Sequence, residues 1–164
     1  MHIRKTARVL LFDWQNRLLL IRMHDPAVGG ADGVVLRDPY WVTVGGEMEP
    51  GEDVAAAAKR ELAEETGLSD VRFGPPVWTS ELVLCVHGKN QMLQQVFLPA
   101  WTEATELSRD AWTELERQVI LDLKWWRLDE LQATTDTIFP TSLVQHIPAL
   151  MAGDIPAFPF AVAP

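Results

Sequence analysis

The chain has 164 residues, 48% of them apolar, and a formal net charge of −9. That balance excludes disordered and fibrous classes and supplies enough apolar material for one buried core. The negative charge argues against a nucleic-acid strand as resting partner, because phosphate backbones are held chiefly by Lys and Arg.

The opening residues Met1-His2-Ile3-Arg4-Lys5 lead into an apolar stretch ending near Phe12. It is too short to span a bilayer and lacks a small-residue cleavage site, so no membrane association is expected. The single cysteine, Cys85, permits neither an internal disulfide nor a Cys-rich zinc site, and a reducing cytoplasm fits. Ala7 to Phe12 and Arg17 to Met23 read as strands joined by a turn at Asp13-Trp14-Gln15-Asn16. Asp25 to Tyr40 reads as a long glycine-containing loop, the kind that serves either as a binding loop or as an insertion. Trp41 to Val44 is a short strand that ends at Gly45-Gly46.

Asp53 to Thr66 has the composition of a helix, with Glu52 or Asp53 to cap its start and Gly67 where a C-terminal glycine is expected. Leu62, Ala55 and Ala58 form the stripe that should seat it on a sheet, while Val54, Ala57 and Ala58 leave room beside the acidic face. Trp78 to His87 and Gln91 to Trp101 are two further strands around Gly88-Lys89-Asn90. Ser108 to Ile120 is helical or a polar loop. Lys124 to Arg127 is a short strand, Leu128 to Gln132 a helical turn, and Thr141 to Met151 a closing helix disturbed by Pro148. Residues 1–153 are expected to form one domain, followed by a Pro-rich tail, 154–164, that wraps the surface or frays. The fold class is α/β (α+β), a mixed β-sheet sandwiched between helices.

The chemistry concentrates in Gly46 to Leu68, GEMEPGEDVAAAAKRELAEETGL. On a helix, Glu61 points between Glu64 and Glu65, so the three carboxylates share a face. Like charges at these spacings cost about 0.2–0.5 kcal/mol per pair. Oxygen donors without His or Cys favour Mg²⁺ or Mn²⁺ over zinc. A cation would also let an acidic protein accept an anionic substrate, and Gly45-Gly46 would let a main-chain carbonyl approach it. Taken alone, the carboxylates fit equally well a solvated face with Lys59 and Arg60 as partners.

The whole segment, however, resembles the Nudix box, G-x5-E-x7-R-E-U-x-E-E-x-G-U with U aliphatic, and matches it at every defined position. The resemblance covers 23 of 164 residues and implies a Nudix-type α/β/α sandwich. It implies a pyrophosphohydrolase in which Glu61, Glu64 and Glu65 hold Mg²⁺, with Mn²⁺ a substitute, and Gly45 contributes a carbonyl. Arg60 would orient a box glutamate, and Glu52 would have a partly structural role. The general base varies in the family; Glu103, Glu106, Glu114 and Glu116 are the later candidates, and Glu114 and Glu116 the preferred pair. A nucleoside triphosphate, nucleotide sugar or ADP-ribose remains open as substrate, and family dimers make a homodimer possible. The alternative is a non-catalytic Nudix-fold sensor of a nucleotide metabolite, a reading weakened by the intact carboxylates. A Nudix-like isopentenyl diphosphate isomerase is disfavoured because Cys85 lacks that family's surroundings.

Outside the box, Trp41, Arg22 and Arg37 are candidates to touch substrate, with Lys89 a further candidate for a phosphate. The seven tryptophans could supply a stacking surface, although most should be core. His87 and Cys85 are read as structural.

Overall fold

A computed structural model describes residues 1–164. Strand β1 (His2–Phe12) is the central element and begins five residues earlier than the apolar run alone suggests. It pairs in parallel with β7 (Lys89–Trp101) along its whole length, and antiparallel with β4 (Tyr40–Glu47) through its middle, Thr6 to Val9. Strand β2 (Leu18–Met23) meets β1 at the hairpin and then runs beside β4. The hairpin is fixed by Asp13, whose buried carboxylate accepts the amides of Gln15 and Arg17 and the Arg17 Nε–H at 2.7 Å.

β6 (Trp78–Val86) completes an antiparallel pair with β7. The loop between Asp25 and Tyr40 carries a three-residue strand, β3 (Val28–Gly30), laid against β6. Arg72–Phe73 forms the short strand β5 on β7. The sequence read Lys124 to Arg127 as a short strand; β8 instead runs from Ile120 to Trp126 on β2, because pairing with β2 extends it backwards. β9 (Ile138–Phe139) adds in parallel to β4. The tail is docked: Phe160–Ala161 forms β10 in parallel on β6, and Thr141 and Ser142 donate to the carbonyls of Pro164 and Ala163.

Successive side chains of a strand face opposite sides, and both sides of β1 are buried. Ala7, Val9 and Leu11 join the core under α1 (Val54–Thr66), whereas Leu10 and Phe12 join a second core. Leu131 of α3 (Leu128–Ala133) and Leu143, Ile147 and Leu150 of α4 (Leu143–Met151) cover that second core. A mixed sheet thus lies between helices on two sides. The adjacent Trp125 and Trp126 face opposite cores, as strand alternation requires. Ala57 and Ala58 are fully buried and, with Leu62, seat α1 on the sheet. Ala55, expected in that stripe, is exposed, and Ala57 takes its place. The small alanines therefore let the helix approach the sheet closely; they do not leave open space above the acidic face.

Candidate active site

The box residues meet where the end of α1 lies beside the outer edge of β4. Asp53 caps the helix by accepting the Ala56 N–H, and Gly67 ends it in the left-handed region at φ 76°. Within that frame Arg60 is the organiser. Its Nε and Nη2 donate to the two carboxylate oxygens of Glu52 at 2.9 and 2.8 Å, a bidentate charge-assisted pair. Nη1 donates to Glu61 at 2.9 Å and to Glu64 at 3.2 Å, and Nη2 also reaches the Glu47 carbonyl. Hydrogen bonding to Arg60 holds the Glu52 carboxyl below the usual carboxylate range.

The three box glutamates share a helix face but not an environment. Glu64 has 45% of its side chain exposed, whereas Glu65 is 6% exposed and accepts the Gly45 N–H at 2.7 Å. Burial pushes the Glu65 carboxyl up to about 8, with Glu61 and Glu116 acting in the same direction and Gly45 N–H and Arg8 opposing. Burial also raises Glu61, and the bond from Arg60 opposes that shift. The Glu61 carboxylate lies against Gly46, where an added Cβ would sit 2.5 Å from Oε1.

The donor set fits a hard divalent cation: carboxylate and carbonyl oxygens only, partly desolvated, with more acidic groups than neighbouring guanidiniums. No three side chains close into a ready-made cage. Glu61 and Glu64 are turned onto one Arg60 nitrogen and Glu65 onto the backbone, so holding a cation requires side-chain rotation there.

Of the two later candidates, α2 (Glu114–Val119) separates the roles. Glu114 is exposed and accepts from Gln118 one turn on. Glu116 is partly buried, close enough to Glu65 to raise its pKa, and its Oε1 caps α2 by accepting the Thr113 N–H. Trp112 ties this segment to the box helix, its buried Nε1–H donating to the Glu65 carbonyl at 2.7 Å. Trp112→Phe is expected to cost about 1–2 kcal/mol by orphaning that carbonyl. Thermal unfolding reads this, and an unchanged Tm would contradict it.

The other candidates lie elsewhere. Trp41 is buried in the second core, donates to Asp136 and packs edge-on against Trp126, so it offers no open stacking face. Arg22 lies over that same ring, 5.9 Å from its centre. Arg37 is exposed in the loop after β3, and Lys89 at the β6–β7 turn. Trp14 is the tryptophan most open to solvent, at 69% exposure, but it stands at the β1–β2 hairpin.

One residue that the motif does not contain belongs here. Arg8 leaves β1 on the face opposite Ala7 and Val9 and reaches around β4 to donate to the carbonyls of Thr43 and Gly45, at 3.2 and 3.3 Å. Gly45, at φ 142°, makes this possible, because a Cβ there would collide with the Ala7 carbonyl and the Arg8 Cα. An arginine at the second position of the otherwise apolar run Ala7 to Phe12 was the available sequence signal.

The NUDIX domain model matches residues 2–147 of this chain. The chain belongs to the Nudix family. A curated relative, an RNA pyrophosphohydrolase of Caulobacter vibrioides, is 27% identical over 150 residues, covering 84% of this chain and 77% of its own. Among solved structures, a MutT protein from Methanosarcina mazei Go1 aligns with TM-score 0.65 at 14% identity, covering 91% of this chain and 95% of its own. The NUDIX domain of Shewanella oneidensis NrtR, complexed with ADP ribose, aligns with TM-score 0.62 at 14% identity, covering 92% and 90%. These Nudix likenesses establish the α/β/α fold of this chain. No helix is long and apolar enough to cross a membrane.

Proposed function

We propose that this Nudix protein is a Mg²⁺-dependent pyrophosphohydrolase acting on a small nucleoside diphosphate derivative. The observation that carries the reading is the complete set of box carboxylates gathered at the end of α1, with Glu65 on the Gly45 N–H and Arg60 holding Glu52, Glu61 and Glu64 at once. Glu61, Glu64 and Glu65 would hold the cation; the Gly45 carbonyl would join them only by giving up the Arg8 N–H that it accepts. When bound, the cation supplies a water of lowered pKa and stabilises charge on the departing phosphate. Arg60 aligns Glu61 and Glu64 by donating to both from one nitrogen. Glu116, one of whose oxygens is committed to its helix cap, keeps Oε2 to accept the proton of the attacking water.

The preference for a small molecule over an RNA end rests on the net charge of −9. With no membrane-spanning helix and one free cysteine, a cytoplasmic setting is the consistent one. The proposed molecule is one domain whose tail is docked on β6, and a homodimer is its proposed assembly.

Two assays test this reading. The first identifies products by mass after incubation with nucleoside triphosphates, nucleotide sugars, ADP-ribose, dinucleoside polyphosphates and a 5′-triphosphorylated RNA. Cleavage between two phosphorus atoms of one small substrate class is expected. Binding of a nucleotide without any product would instead favour the sensor alternative. The second compares Glu116→Gln with Glu114→Gln. The former should lower kcat by about 10²-fold and the latter by less than about threefold; equal effects would remove Glu116 as the base.

A further inference from the structure

Two guanidiniums stand at the box, and only one is spent. Arg60 donates from all three of its nitrogens to four acceptors, three of them carboxylates. Arg8 contacts neutral oxygens alone: the Gln95 amide at 3.1 Å and the Thr43 and Gly45 carbonyls. Burial pulls the Arg8 pKa down and the nearby Glu65 and Glu61 oppose that shift, yet neither carboxylate bonds to it, and its Nη2 has no partner.

The surroundings of Arg8 are built to hold it in place. Gln95 receives the Arg8 Nε–H on Oε1 and donates through Nε2 to Ser80 at 2.9 Å, so a line of bonds crosses β1, β7 and β6. Thr6 lies directly across from Gln95 in the parallel register, on the same sheet face as Arg8. Its hydroxyl is buried and has no partner within the chain. A half-buried guanidinium with an unspent Nη2, held in place through Gln95 and lying beside a carboxylate cluster, describes an anion subsite next to a cation site.

We infer that Arg8, positioned by Gln95, binds a phosphate group of the substrate adjacent to the bond that is cut. The inference rests on the pyrophosphohydrolase reading for the identity of the anion. The arginine supplies the positive charge that an acidic protein needs to dock a polyphosphate. Gln95 acts through Arg8, as a positioning residue.

The test uses the full chain and two readouts. In EDTA, inorganic pyrophosphate is titrated by calorimetry into wild type, Arg8→Gln, Arg8→Lys, Gln95→Leu and Arg72→Gln, the last a charge-matched control stacked on Trp101. Wild type and the control should bind alike, Arg8→Gln about tenfold or more weakly, and Arg8→Lys in between. With the best substrate and metal, Gln95→Leu should raise KM about tenfold while kcat stays within about twofold, because its effect is on binding common to ground and transition states. Binding in EDTA unchanged by Arg8→Gln, or weakened equally in the control, overturns the subsite. So does a Gln95→Leu defect confined to kcat. Should Arg8→Gln fail to fold, Arg8→Lys and Gln95→Leu carry the same decision. A chain that binds pyrophosphate through Arg8 but cleaves nothing would refute the hydrolase reading and leave the subsite standing. A chain that cleaves, with Arg8 irrelevant to binding, would do the reverse.

Discussion

Glu65→Gln is expected to lower kcat by at least about 10²-fold and to make the metal-free protein more stable at pH 8. The loss of rate follows from removing a charged oxygen ligand while keeping the shape, and losses of this size are usual when one preorganised electrostatic element is removed. The stability effect follows from burial. The Glu65 carboxyl titrates near 8 in the folded protein, above its ordinary value of 4.5. Between those values the folded state keeps a proton that the unfolded state has released, so stability falls as pH rises through that window. Without metal, the Tm of wild type should therefore decline from pH 5 to pH 8 more steeply than that of Glu65→Gln. At pH 8 the variant should gain on the order of 1–3 kcal/mol. Added Mg²⁺ should stabilise wild type most at the alkaline end and the variant little. Parallel pH profiles in EDTA would show that the Glu65 charge is not held out of solvent as described.

Arg60→Ala should produce the largest loss of stability among the box substitutions. Its guanidinium lies among Glu52, Glu61 and Glu64, with Glu49 also within 3.9 Å. Removing it leaves like charges facing one another and takes away the bond to the Glu47 carbonyl. The pairs are partly solvated, with 23% of the Arg60 side chain exposed, which tempers the cost to roughly 2–3 kcal/mol. For a chain of this size that corresponds to a Tm lower by about 4–12 °C. Arg60→Lys should recover only part of this, since an ammonium cannot make the bidentate pair with Glu52. A Tm within about 1 °C of wild type for Arg60→Ala would mean that the network contributes little.

The box was legible because all of its chemistry lies on one contiguous helix, where spacing alone decides which side chains share a face. The sequence also marked both ends of that helix, through Asp53 and Gly67. What spacing did not reveal is the division of that face, with Glu65 turned inward against Gly45 and Glu64 left in solvent. That division depends on how Ala57, Ala58 and Leu62 seat the helix against β1 and β4. Arg8 and Gln95 escaped notice for a different reason: they meet across 87 residues of sequence, through a parallel pairing of β1 with β7 that no local pattern announces. Trp41 was singled out for its residue type, yet which sheet face it joins, and therefore its burial beneath Trp126, is set by the order of the strands. Glu114 and Glu116 lie two residues apart on one short helix and could be told apart only by the Thr113 cap and the anchoring of Trp112 to the Glu65 carbonyl. The edge strands β3, β5, β9 and β10 have too few residues to carry a period and exist because a neighbouring strand offers them pairing.

The measurement that bears most directly on the proposed chemistry is initial rate against added Mg²⁺, starting from EDTA-treated protein, for wild type and Glu65→Gln side by side on the same nucleotide panel. Wild type should be silent without metal and gain turnover of one substrate class as Mg²⁺ is added, while Glu65→Gln stays at least about 10²-fold slower at every concentration. Turnover that persists in EDTA, or a Glu65→Gln curve that overlays wild type, would contradict a metal-dependent hydrolase built on the box carboxylates.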